Sequence, residues 1–307
     1  MYYDFLQVGD LNVILSVPHG GKLRPAHIPA RDAGYFDKEA GIPRYDHNSK
    51  EKDPVNYGVR YKKDTNTIDL AVHIADAVKS FCGRRPHVVI CHIHRSKLDL
   101  NCDKEKGSFC VKTAEDAWVA YHKFIADAKR SFTGPGLFLD IHGQAHMENW
   151  VELGYTLNSD QLNDGTYVGA DTSVRFLANR MRDTVSVRDL ICGLDSFGGM
   201  LLDEGYKVVP SPTYPGPGSG SYYTGGYNTQ THGSKVGGII DGIQIESPRF
   251  LREKSMIPEY SKAVARTILR YLELYYINGS DSACDSAFGS ACDSLEEAST
   301  LEQAARR

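Results

Sequence analysis

Residues 11–21 read Leu11-Asn-Val-Ile-Leu-Ser-Val-Pro-His-Gly-Gly21. The short apolar run with β-branched side chains, stopped by Pro18 and a glycine pair, predicts a buried strand that runs into a loop. Further along, the same grammar recurs. His87-Val-Val-Ile-Cys-His-Ile-His94, Gly136-Leu-Phe-Leu-Asp-Ile141, Tyr206-Lys-Val-Val209 and Ile239–Ile245 are the other strand candidates. Between them, Thr67–Lys79 puts Ile68, Ala71, Val72 and Ala75 on one helical face. Residues 113–131, Ser173–Asp183 and Ile257–Tyr276 are also helical by pattern.

Strands alternating with helices predict an α/β layered fold with a mixed, mainly parallel β-sheet flanked by helices. Two stretches resist this grammar. Residues 22–63 form a long irregular excursion, and residues 211–226 are too rich in glycine and proline for regular structure. In α/β sheets ligands gather beyond the carboxyl ends of the strands. His19, Arg95, His142 and Glu246, which follow four separate strand candidates, therefore mark the expected site.

Each of these residues has a chemical reading and a plainer one. His19 and His142, from different strands, have the composition of an open zinc site once a carboxylate joins them; singly, each would merely cap a strand. The adjacent glycines would let the backbone approach a ligand closely. Asp64, at the start of a helix pattern, reads as the third ligand or as a helix cap. Arg95 offers a planar fork for a substrate carboxylate, or a surface ion pair with Asp99 or Asp103. Glu246 closes an apolar strand, where it would serve as general base and then acid, or as half of a salt bridge. His146 is a spare ligand or a support for one. His232, in a glycine-rich loop, is a proton donor to substrate or a turn residue. His92 and His94 read as core or edge histidines.

Composition removes other classes. The chain has 307 residues, 41% hydrophobic, with 35 Lys+Arg against 39 Asp+Glu. That apolar fraction provides a sizeable core and argues against wholesale disorder. No apolar run approaches the roughly 18 residues of a membrane span. Six of the acids and two of the bases fall in residues 279–307, leaving 33 of each in residues 1–278. A neutral body has no global field for a polyanion, so nucleic acid is not expected and any charged ligand must be held locally. The acidic tail, in which Ser282-Ala-Cys-Asp-Ser286 recurs as Ser290-Ala-Cys-Asp-Ser294, is expected to be disordered and outside a single domain spanning residues 1–278. Seven cysteines with no C-x-x-C pair favour free thiols and a cytoplasmic location. A chain beginning after signal cleavage would look the same, which leaves a secreted location open. Neither a G-x-S-x-G elbow nor a phosphate-binding glycine loop is present.

Seven segments taken in order carry a resemblance. They are SVPHGG at 16–21, DTNTIDLA at 64–71, HRSKLDLN at 94–101, LDIHGQAH at 139–146, ELGYTL at 152–157, GGYNTQTHG at 225–233 and IQIES at 243–247. Together, over roughly residues 11–255, the chain resembles the N-formylglutamate amidohydrolase family. The resemblance implies a zinc-carboxypeptidase-like fold and one bound zinc ion held by His19, Asp64 and His142. It also implies Glu246 as the catalytic carboxylate and a carboxylate-bearing small substrate clamped by Arg95; His232 is the second catalytic candidate from the residues themselves. Asn101, Arg31 and Tyr227 are further substrate-binding candidates. Two positions depart from pattern. Lys22 stands where the His-x-x-Glu of carboxypeptidases would place its glutamate, and Asn101 is followed by Cys102 where the family commonly carries arginine. Hydrolysis of an N-acyl amino acid is the expected activity. The alternative is an altered relative that binds a small acidic ligand or has a divergent secreted or oxidative role.

Overall fold

The computed structural model describes residues 6–50 and 58–277. The acidic tail with its repeat lies outside the described residues.

In chain order the strands are β1 (Leu6–Gln7), β2 (Val13–Val17), β3 (Tyr35–Asp37), β4 (Ile42–Arg44), β5 (His87–Ile90), β6 (Gly136–Gln144), β7 (Val151–Gly154), β8 (Val208–Val209) and β9 (Ile240–Pro248). The helices are α1 (Thr67–Cys82), α2 (Lys104–Ser108), α3 (Lys112–Arg130), α4 (Ser159–Asp164), α5 (Arg175–Arg180), α6 (Val187–Cys192), α7 (Phe197–Asp203), α8 (Tyr227–His232) and α9 (Ile257–Tyr275). Among the described residues seven strands form one sheet in the order β1-β5-β2-β6-β9-β7-β8, and β3 pairs with β4 apart from it. The four central strands β5, β2, β6 and β9 are mutually parallel, whereas β1 and β7 run antiparallel to their neighbours β5 and β9. The sheet is thus mixed and mainly parallel, as the alternating pattern predicts.

Alternation along each strand sorts the core into two layers. Val13, Leu15 and Val17 of β2, with Leu137, Leu139 and Ile141 of β6 and Ile243 and Ile245 of β9, pack into the same cluster as α1 and α9. Ile14, Val89 and Phe138 face the other way, against Tyr121 and Ile125 of α3. Helix α3 buries Ala114, Ala117, Tyr121, Ile125 and Ala128, a single stripe spaced by three or four residues. Helix α9 opens with Pro258 in its first turn, where the missing N–H costs nothing, and packs on α1. Truncating one of the fully buried strand residues, such as Leu15→Ala, would cost about 2–5 kcal/mol.

This layering positions the site. Phe138, Asp140 and His142 alternate on the α3 side of β6, and Gly242, Gln244 and Glu246 do so on β9 beside them. The register pairs Asp140 with Gln244 and His142 with Glu246. The first part of that face is roofed by α3; its carboxyl end is polar. The crossover from β2 to β5 runs through α1 on one layer, and that from β5 to β6 through α3 on the other. The cleft between β2 and β6 is therefore a topological switch point, where ligands collect.

Several boundaries differ from expectation. Strand β5 stops at Ile90, so His92 and His94 lie beyond it, in a segment that pairs with the loop residue Leu23 through an isolated parallel bridge at Ile93. The helix expected over Ser173–Asp183 shortens to Arg175–Arg180. Strands β6 and β9 run further than predicted, through Gln144 and Pro248, because they pair with each other over nine residues. Residues 211–226 contain no helix or strand, as expected.

Candidate active site

Three side chains converge at the switch point. His19 follows β2, His142 projects from β6, and Asp64 lies just ahead of α1; all three are buried, and their ligand atoms lie within 4.8 Å of one another. The two imidazoles face each other, Nδ1 to Nδ1 at 3.2 Å. Asp64 Oδ2 lies 3.1 Å from His142 Nδ1 and 3.6 Å from His19 Nδ1. The helix cap is Asn66, not Asp64, so capping does not account for Asp64. Its backbone N–H donates to the His19 carbonyl at 3.0 Å, tying the two ligand-bearing loops together.

The far side of each ring is locked. His19 Nε2–H donates to Asp99 Oδ1 at 2.7 Å, and His142 Nε2–H donates to Asp140 Oδ2 at 2.8 Å. Both aspartates are buried. An ionised carboxylate only accepts, so each fixes the proton on Nε2 and leaves Nδ1 as the potential ligand atom. Burial opposes the charge on Asp99, but Arg95 and His19 outweigh it and hold the carboxyl well below its ordinary value. Burial likewise opposes ionisation of Asp64, and the hydrogen bonds of His142 and His19 overcome it. Burial disfavours a charged His142, yet Asp140 and Asp64 push its proton affinity well above that of a free imidazole.

Glu246 completes the cluster from β9. Its Oε1 accepts from Gln244 Nε2 at 3.1 Å, while its buried Oε2 has no partner among the described residues. Burial raises its pKa to about 8, His142 working against that and Asp64 and Glu152 adding to it. Two imidazole nitrogens and a carboxylate oxygen, preset by buried carboxylates behind them, match the donor set of an open zinc site. The orphaned Glu246 oxygen is the kind of group that a reacting water would satisfy. The residues present therefore fit one divalent cation.

The cavity holding these groups measures about 220 Å³, and Arg60, Arg95, Asn101, Tyr223, Gly226 and Gln244 complete much of its wall. Arg95 donates through Nε to Asp99 Oδ2 at 2.9 Å, a buried pair rather than the surface one considered from sequence. Asn101 accepts at Oδ1 from the Asn228 N–H at 2.8 Å. Gly226 is required beside it, since a Cβ there would meet the Asn101 side chain at 2.3 Å. The glycines after His19 serve chain packing rather than ligand access. A Cβ on Gly21 would lie 2.4 Å from the His92 backbone.

The other candidates lie elsewhere. Arg31 is buried and its guanidinium is spent on the carbonyls of Arg60, Arg95 and Lys106, which makes it a brace behind the cavity wall. Tyr227 packs near Trp118 and His122, off the cavity. His232 stacks on His122, with a 2.8 Å contact from its Nε2 to His122 Nδ1, and does not line the cavity. His146 bonds the buried Glu152 at 2.7 Å instead of joining the ligand cluster. Cys102 also stays off the cavity; burial pushes its thiol well above the ordinary value, and the sulfur donates to the Asp99 carbonyl. No disulfide forms among the described cysteines, and no described helix is long and apolar enough to cross a membrane.

Sequence reasoning missed Asp99 and Asp140 as ring anchors, and Arg60, Tyr223 and Gln244 as wall residues. Asp140 carried a signal: it sits two residues before His142, on the same strand face. Arg60 and Tyr223 come from the two irregular stretches, where no periodicity marks them.

No protein-family model matches the chain, and no curated protein does. Solved structures with a similar chain trace include an N-formylglutamate amidohydrolase from Ralstonia eutropha, 14% identical, covering 89% of this chain and 98% of that one with a TM-score of 0.47. A gene product from Agrobacterium tumefaciens is 11% identical over 96% and 97%, TM-score 0.41. An N-acetylmuramyl-L-alanine amidase from Mycobacterium smegmatis is 12% identical over 85% and 97%, TM-score 0.38. The chemistry of the site rests on its own residues.

Proposed function

We propose that the chain is a metal-dependent amidohydrolase that cleaves the amide bond of a small N-acyl amino acid, of N-formyl type. The observation that carries this reading is the convergence of His19, His142 and Asp64, backed by Asp99 and Asp140, beside the unpartnered carboxylate oxygen of Glu246. The ordered motifs that resemble the N-formylglutamate amidohydrolase family point the same way.

A bound zinc ion would polarise the scissile carbonyl and acidify a water beside it. The protein's residues do the rest. Asp99 and Asp140 keep both Nδ1 atoms aimed at the centre. Glu246, whose raised proton affinity suits exchange near neutral pH, takes the proton of the attacking water and delivers it to the departing amine. Arg95, fixed through Nε by Asp99, offers its remaining N–H groups to the substrate carboxylate.

Metal analysis of the purified chain, joined to turnover of a panel of N-acyl amino acids, tests the reading. Bound divalent metal near one per chain, with turnover abolished in His19→Ala and Glu246→Gln, is the expected result. Turnover that survives both substitutions, or that persists after the metal is stripped, overturns it.

A further inference from the structure

Beside the 220 Å³ cavity lies a groove of about 730 Å³ that shares the wall residues Arg60, Asp64, Arg95, Gly143 and Tyr223. The smaller cavity is below the roughly 300–1,000 Å³ typical of ligand sites, and the groove is within that range. A scissile amide and its immediate substituents would occupy the one, leaving the other for something more.

The lining of that groove is lopsided in charge. Six cationic side chains, Arg60, Lys62, Lys63, Arg95, Arg249 and Arg252, face two carboxylates, Asp64 and Glu253. Nothing in the overall balance of the chain, which is slightly acidic, predicts such a concentration. Not all six are available. Arg252 is buried and donates to the carbonyls of Ser247, Thr65 and Gln144, and Arg95, fixed through Nε by Asp99, already serves the smaller cavity. The side chains of Lys62, Lys63 and Arg249, in contrast, make no hydrogen bond or ion pair with any described residue. Arg60 lies over the Tyr223 ring at 5.0 Å and donates to its hydroxyl, which holds the guanidinium at the mouth shared by both spaces.

Like charges facing one groove repel one another, and an anion bound among them relieves that repulsion. A planar guanidinium at the junction suits a carboxylate, and Val59, Tyr61 and Tyr223 give the groove an apolar flank for the rest of a peptide. We infer that the substrate is an N-acylated acidic oligopeptide rather than a single amino acid. Its scissile amide lies at the His19–Asp64–His142 centre and its further carboxylates lie along Arg60, Lys62, Lys63 and Arg249. This rests on the amidohydrolase reading above and extends it to substrate class.

The test uses N-formyl peptides of one, two and three glutamates and the matching glutamine series, with the full chain loaded with metal. Lys62→Gln/Arg249→Gln is compared with the parent, since neither residue lines the smaller cavity. For the parent, kcat/KM is expected to rise with each glutamate and not with glutamine, chiefly through KM, and to fall as salt is added. In the double variant the gain drops about tenfold, while the one-residue substrate is hydrolysed as before. A binding measurement on fluorescently labelled tetraglutamate gives a second readout, with affinity expected to fall in the variant. Hydrolysis of the one-residue substrate without a glutamate-dependent gain, or equal tetraglutamate binding by both proteins, overturns the groove as an acidic-peptide subsite and leaves the hydrolase reading intact. Absence of turnover on every peptide overturns the hydrolase reading and the substrate assignment with it, whatever the binding. Inorganic tripolyphosphate binding more tightly than tetraglutamate would overturn the carboxylate identity of the ligand.

Discussion

His19 and His142 present Nδ1 to one another across 3.2 Å while each ring's Nε2 is anchored on its own buried aspartate, Asp99 for one and Asp140 for the other. Nothing local holds two imidazoles so; they come from loops and strands separated by more than a hundred residues. The anchoring predicts a measurable cost. Asp99→Asn or Asp140→Asn would allow the wrong tautomer and lower metal affinity by about 10–100-fold. The proton that Asp140 and Asp64 stabilise on His142 must leave before Nδ1 can act as a ligand. Metal binding therefore releases protons, and affinity rises with pH. Calorimetry in buffers of different ionisation enthalpy checks both; a binding signal independent of buffer would contradict the argument.

Glu246 supplies the second prediction, because its role in proton transfer and its effect on stability are separable. Glu246→Gln should lower kcat by about 10²–10⁴-fold while metal remains bound. In the metal-free protein the same substitution is stabilising at alkaline pH. The folded-state pKa, about 8, lies above the unfolded value near 4.5, so the folded state holds the extra proton between these limits. Stability contributed by this group is present below about pH 4.5 and is lost as pH rises towards 8. Glutamine removes that loss. Chemical denaturation of the metal-free parent and variant at pH 5 and pH 8 should show the variant gaining on the parent at the higher pH.

How much of this could be read beforehand depended on periodicity. The histidines and Glu246 stood out because each interrupts or ends an apolar run, and such runs survive into strands. Even so, His142 and Glu246 lie inside β6 and β9 rather than beyond them, since the two strands sustain each other's pairing past the end of the core. Asp140 and Gln244 were visible in principle, as alternate residues on the same faces. Arg31 and His232 were not. An arginine in an irregular stretch, or a histidine in a glycine-rich loop, reads as available for substrate, and only the tertiary fold shows that carbonyl groups or another imidazole have already claimed it. Arg60 and Tyr223 belong to segments whose shape is imposed from outside. The Tyr223 N–H, for example, is held by Glu152 Oε2 at 2.8 Å.

Arg31 leads to a third prediction that distinguishes a brace from a substrate ligand. Its guanidinium gathers three carbonyls, including those of Arg60 and Arg95, which themselves wall the cavity. Lysine keeps the charge but lacks the planar fork. Arg31→Lys should therefore destabilise the fold by about 1–3 kcal/mol through unsatisfied carbonyls. With substrate present, the effect should fall on KM more than kcat and be similar for every N-acyl substrate, charged or neutral. A loss confined to carboxylate-bearing substrates, with unchanged stability, would instead make Arg31 a direct ligand.

The buried His122–His232 pair predicts a protein that loses stability in acid. Burial lowers His122 to about 4, and burial with the neighbouring His122 and Lys129 lowers His232 to about 3. Both lie below the ordinary value near 6.5, so between about pH 4 and 6.5 the unfolded chain binds protons that the folded chain refuses. Stability must then fall as pH drops through that window, by up to about 1.4 kcal/mol per pH unit for each histidine. It is unaffected by these groups above about pH 7. His232→Gln removes one titrating group while keeping a polar side chain beside His122. It should flatten the slope of unfolding free energy against pH between 6.5 and 4 by close to half of the pair's share, whatever it does to stability at neutral pH. Urea denaturation of parent and variant at half-unit intervals gives that slope directly. Parallel curves over the window would show that the two imidazoles do not titrate as a buried neutral pair.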